Sequence, residues 1–106
     1  MSESAPAPRG NYDISRPSTL TFCDRRDDFL AGRDSPSDYL ERCLQKITDI
    51  DDRVKAWVCI NADGAREAAE AATRRYAAGT PLSPIDGMPV GIKDVLQTHD
   101  MPTTLG

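Results

Sequence analysis

Along residues 35–50 the apolar side chains of Tyr39, Leu40, Cys43, Leu44, Ile47 and Ile50 recur at steps of three and four, the spacing that lines one face of an α-helix. Glu41, Arg42, Gln45, Lys46 and Asp49 fall on the other face. Ser35 can cap this helix, Pro36 suits its first position and Asp38 stands three residues after the cap, so the start is well marked. Residues 49–53 are too polar to extend the stripe and read as a connection. Residues 54–60 (VKAWVCI) change the period: they are β-branched or aromatic and apolar on both faces apart from Lys55, as in a strand covered on both sides. Asn61 or Asp63 then opens an alanine-rich helix over residues 62–78, with Ala65, Ala68, Ala69, Ala72 and Tyr76 as a small-residue stripe suited to packing on a sheet. Gly79 and Pro81 stop it. Asp86-Gly87 signals a turn, and residues 88–95 (MPVGIKDV) read as a second strand whose Pro89 sits near the start, where a lost ladder donor matters least. Ahead of all this, residues 23–32 predict a short helix with Phe29 and Leu30 as its large apolar contacts, ended by Gly32, which takes the left-handed cap conformation at no steric cost.

The order helix, helix, strand, helix, strand predicts an α/β chain. Two strands apolar on both faces need neighbours, since an isolated pair is marginal in water. The sequence therefore reads as the opening of something larger, incomplete as it stands, whose exposed apolar faces invite association. Residues 1–20 hold Pro6, Pro8 and Pro17 among serines, a composition that buries too little to offset chain entropy and predicts a disordered arm. Residues 21–106 form the structured part.

Composition narrows the function. The net charge is −4, which argues against nucleic acid or an anionic membrane as partner, because both need a basic patch. The aromatic residues are too scattered for a base-stacking platform. No apolar run reaches the length of a signal-peptide core or a membrane span, so the chain is expected to be soluble and cytoplasmic. Cys23, Cys43 and Cys59 form no C-x-x-C pair and read as buried, reduced thiols. His99, the single histidine, reads as a surface or hydrogen-bonding residue. The acidic and basic run at residues 24–28 lacks the central glycine of a calcium loop. No cofactor or metal motif is present; the spacing G-x-x-x-G-x-K before Asp94 has three residues between its glycines where a phosphate loop needs four.

One side chain stands out. Alternation along residues 88–95 puts Lys93 inside a strand that otherwise reads as buried. A buried lysine is costly unless paired or neutral, and a neutral lysine can serve as a general base. A lysine at the strand end reaching solvent fits the same pattern.

Residues 84–94 (PIDGMPVGIKD), followed by residues 101–106 (MPTTLG), resemble the opening of the amidase signature family, whose members read Gly-Ile/Val-Pro-hydrophobic-x-hydrophobic-Lys-Asp and then a Pro-Thr-Thr-x-Gly-Ser stretch. The helix of residues 35–47, the Lys55-Ala56-Trp57 strand and the alanine-rich helix are similar to the family's upstream elements, in order and at matching spacing. The resemblance implies that residues 21–106 are the N-terminal portion of an amidase signature domain, a partial unit of its larger mixed-sheet α/β/α fold. It also implies hydrolysis of a non-peptide carboxylic amide by a Ser–Ser–Lys arrangement, with Lys93 as the lysine that takes the proton through a bridging serine. Asp94 matches the family's acidic neighbour and is expected to hold local backbone donors. Both serines and the oxyanion-hole amides lie downstream in family members. Ser83 matches no nucleophile position and Thr103 and Thr104 match a structural loop, so the chain alone is expected to be an inactive N-terminal portion of an amidase acting on a small-molecule amide. The alternatives are an amidotransferase A-type subunit, which releases ammonia from glutamine, and a non-enzymatic module packing on a partner. Those A-type proteins usually read Lys-Asp-Asn, where this chain has Lys93-Asp94-Val95, and that departure favours the stand-alone amidase.

Overall fold

The computed structural model describes residue 15 and residues 22–105. The expected arm, residues 1–20, lies outside the described residues apart from Ser15. Three helices form in chain order: α1 (Cys23–Leu30), α2 (Pro36–Val54) and α3 (Ala62–Ala77).

The helix starts follow the capping chemistry. The Ser35 hydroxyl accepts the Asp38 N–H at 3.1 Å, and Pro36 takes the first position of α2. At α3 the Asn61 side chain accepts the Gly64 N–H at 3.0 Å. The end of α2 differs from expectation. Residues 49–53 continue the helix instead of leaving it; Val54 stands four residues after Ile50 and keeps the stripe's spacing, although Val54 itself is exposed. Termination comes at Lys55, which takes the left-handed conformation at φ 53°. The Asp51 carboxylate then accepts the Ala56 N–H at 2.8 Å.

The α/β expectation is corrected by the structure: among the described residues there is no strand. Residues 56–60 and 88–95 carry no ladder hydrogen bonds to one another. Their apolar patterning suits a strand, but a stable sheet needs further flanking strands, and none is present among the described residues. The alanine stripe packs on helices instead of a sheet. α3 lies chiefly on α2 and makes a smaller contact with α1, and small side chains at Ala69 and Ala72 let the helices approach closely. Both alanines are buried, with Leu40, Pro36, Phe29 and Tyr76, whereas Ala68 is exposed. Phe22, Phe29, Tyr39 and Tyr76 meet edge-to-face with ring centroids 5.3–6.1 Å apart, a preferred aromatic geometry. Ser37 and Thr73 join α2 to α3 through a 3.2 Å bond from the Ser37 N–H and a 3.0 Å contact between their hydroxyls.

After α3 the chain is pinned by Asp86. Its buried carboxylate receives Arg75 in a two-pronged pair at 2.8 and 2.6 Å and the Leu82 N–H at 3.0 Å. Its carbonyl takes the Tyr76 hydroxyl at 2.8 Å. The next residue, Gly87, has φ +81°, and a Cβ there would sit 2.9 Å from Pro36 Cγ and 3.4 Å from Ala72 Cβ. Glycine is required twice over, by its backbone angle and by the close approach of α2 and α3.

The core ends there. Val58, Val90 and Leu96 are 66%, 66% and 60% exposed, and the radius of gyration is 15.6 Å against about 13 Å for a compact chain of this size. The molecule is a flat helical layer with an uncovered apolar side.

Replacing Gly87 with alanine should destabilise the chain by about 1–3 kcal/mol, the usual range for overpacking, read from the urea midpoint of the helical circular-dichroism signal; an unchanged midpoint would mean the turn does not pack on Pro36. A pH dependence arises from Asp86, whose carboxyl is held below the usual carboxylate range by the Arg75 guanidinium, against the opposing effect of burial. A depressed folded-state value means the stabilisation is complete above the unfolded carboxylate range, near about pH 3.9, and is lost as pH falls through it and below. The urea midpoint should drop on acidification from pH 6 toward 3, and Asp86→Asn should start lower and fall less steeply. A parallel fall in both proteins would remove Asp86 as the cause.

Candidate functional site

The segment after Gly87 carries the candidate site, and two contacts position it. The first is with Trp57. A Cβ built on Gly91 would lie 3.1 Å from Cη2 of the Trp57 ring, so the edge of the indole borders the space that a side chain at residue 91 would fill. The two segments expected to be strands therefore run close together, joined by this side-chain contact. Glycine inside a strand-like pattern is a signal for such close approach, and it is the sequence feature that could have pointed to this contact.

The second contact closes a loop. Immediately after Lys93 the chain turns, with the Val95 and Leu96 N–H groups donating to the Lys93 carbonyl at 2.8 and 3.0 Å. The Asp94 carboxylate then accepts the Thr104 N–H at 2.9 Å and the Thr104 hydroxyl as well. The Leu105 N–H donates to the Asp94 carbonyl at 3.1 Å, and the Thr103 hydroxyl to the Leu96 carbonyl at 3.3 Å. Farther round, Asn61 Nδ2 donates to Asp100 at 2.8 Å, tying the loop to the cap of α3. That bond holds the Asp100 carboxyl below its ordinary range.

The structure thus joins the two halves of the motif, Lys93-Asp94 and Thr103-Thr104. Asp94 holds a backbone donor as expected. Thr104, expected to belong to a structural loop, serves it with its side chain as well as its backbone. The partnership of residues ten positions apart is invisible to any local pattern. Lys93 is exposed, the solvent-reaching one of the two placements that its pattern allows; among the described residues no sheet surrounds it. It lines one side of a broad open cleft of about 1150 Å³, between the α2 stripe of Leu44, Ile47 and Ile50 and the segment containing Trp57, Ile92 and Met101. No serine of the described residues lines this cleft. Cys43 is half-buried and burial pushes its thiol up, but Cys59 is exposed, contrary to expectation and for the same reason as Lys93. His99 is exposed.

The family profile described as Amidase matches residues 38–106. The chain belongs to the amidase family. Among curated relatives of this amidase-family chain, the glutamyl-tRNA(Gln) amidotransferase A subunit of Salinispora arenicola is 45% identical over 75 residues, covering 71% of this chain and 15% of the relative. The protein of the same name from Chloroflexus aggregans is 40% identical over 76 residues, 72% of this chain and 16% of the relative. That from Roseiflexus sp. is 39% identical over 85 residues, 80% and 17%. The chain thus spans roughly a sixth of the length of these relatives. No solved structure matches it. Among the described residues no helix is long and apolar enough to cross a membrane.

The Trp57–Gly91 contact can be tested with the single tryptophan as reporter. Gly91→Val should push the indole outward and move its fluorescence emission to longer wavelength, with the helical circular-dichroism signal unchanged. Emission identical to wild type would mean that the ring does not rest on residue 91.

Proposed function

We propose that this amidase-family chain supplies the lysine-bearing part of an amidotransferase A-type subunit, in which the side-chain amide of glutamine is hydrolysed and ammonia passed on. The observation that carries this reading is the Lys93-Asp94 turn held against Thr104, inside a segment about 40% identical to proteins named as the A subunits of glutamyl-tRNA(Gln) amidotransferases. In this reading Lys93 accepts the proton of a nucleophilic serine by way of a second serine. Neither serine matches a position of this sequence, so the reacting unit is a longer protein. A lysine base works only when unprotonated, a state that desolvation favours. Lys93 is open to solvent in these 106 residues, so the longer protein must also cover the cleft.

One observation favours a second reading, a stand-alone amidase: Val95 stands where A-type subunits usually have asparagine. The two readings separate by assay of the full-length gene product. An A-type subunit releases ammonia from glutamine and, with its partner subunits, converts a glutamate-charged transfer RNA to the glutamine form. A stand-alone amidase hydrolyses simple aryl or alkyl amides without partners and has no such transfer activity.

Under either reading Lys93→Arg should be as damaging as Lys93→Ala, because a guanidinium keeps its proton at any accessible pH. Both should lower kcat by at least ~10²-fold, the low end for general-base catalysis, with melting curves close to wild type. Retention of more than about a tenth of wild-type kcat by Lys93→Arg would rule out the base assignment.

A further inference from the structure

The turn after Lys93 does not by itself fix where the lysine stands, since the run before it lacks ladder hydrogen bonds on both edges. The restraint comes from the next residue. Asp94 takes both polar hydrogens of one partner ten positions on, the Thr104 N–H at 2.9 Å and the Thr104 hydroxyl. It also takes the Leu105 N–H on its carbonyl at 3.1 Å. A carboxylate bonded by an N–H and an O–H of the same residue is held in orientation as well as in place, and charge-assisted bonds of this kind are the stronger ones. The intervening loop is closed a second time by Thr103 on the Leu96 carbonyl at 3.3 Å and moored to α3 through Asp100 and Asn61 at 2.8 Å. A path of hydrogen bonds therefore runs from the α3 cap through the loop to the residue that adjoins Lys93.

We infer that Asp94 and Thr104 form a latch that positions Lys93 for proton transfer. Asp94 is a positioning residue: it acts through the backbone of the turn and needs no contact with substrate. The inference rests on Lys93 being the base. Because the latch lies near the surface, water competes for its bonds and their net effect on stability is small. The consequence belongs to kcat, since misplacing a reacting group by about 1 Å can cost ~10²-fold.

The test uses the full-length gene product, with kcat and KM for glutamine and for an aryl amide, beside melting curves. Asp94→Ala and Thr104→Val should each lower kcat by between ~10- and ~10²-fold and leave KM within about twofold, the pattern of a lost transition-state interaction. Thr104→Ser, which keeps the hydroxyl, should restore most of the rate. The double variant should be no slower than the worse single one, because both changes break the same link. A raised KM at unchanged kcat, additive losses, or a serine variant as slow as the valine would overturn the latch. An inactive wild type, or full activity in Lys93→Ala, would remove the reading beneath it. Amide exchange in the 106-residue chain tests the link apart from activity: the Thr104 N–H should exchange faster in Asp94→Ala than in wild type. Equal exchange means that there is no latch.

Discussion

Asp86 ties the chain beyond α3 back to the helices, and its burial sets the terms of that return. A carboxylate with 5% of its side chain exposed is tolerated because Arg75 meets it with two donors and the Leu82 N–H with a third, and because Tyr76 bonds the carbonyl of the same residue. Removing a partner would leave a buried charge uncompensated, which costs more than the pair contributes. Gly87 then drops into the notch between Pro36 and Ala72. The direction in which residues 88–105 leave the core is set at these two adjacent positions, one electrostatic and the other steric.

Past that anchor the packing is thin. The α2 stripe has Leu40 fully inside and Leu44, Ile47 and Ile50 half-buried, so the apolar face that periodicity draws is covered only at its N-terminal end. The other end opens onto the cleft beside Trp57 and Ile92. Hydrophobic burial scales with area removed from water, and this side of the layer removes little. Exposure of Val58, Val90 and Leu96 is the same fact seen from the opposite wall.

Within that open region order is local and polar. The Trp57 ring edge beside Gly91, the turn on the Lys93 carbonyl and the Asp94–Thr104 bonds hold the Lys93 segment without a hydrophobic core beneath it. Segments restrained this way open at lower free energy than packed helices. Such a segment keeps its local geometry while the surroundings of its lysine depend on whatever covers it.

The helices and their starts were legible from local sequence. Ser35, Pro36 and Asn61 cap as their chemistry dictates, and α-helical hydrogen bonds close within a few residues of the chain, so local pattern suffices. The motif around Lys93 and family membership were legible too, because both are written as residue types at fixed spacing. The strands were not decided locally. Residues 54–60 and 88–95 have strand-like composition, but a strand's hydrogen bonds are completed by another segment, and among the described residues the two meet only through the Trp57 side chain, without ladder bonds. The burial expected of Cys59 failed with the sheet that was to provide it, and Lys93 takes the solvent-reaching of the two placements its pattern allows. Only the folded chain shows that the alanine face packs on helices, that Gly91 lies beside the edge of the Trp57 ring, and that Asp94 takes Thr104. Each of these is a meeting of residues far apart in the chain, set by how the backbone returns from Asp86.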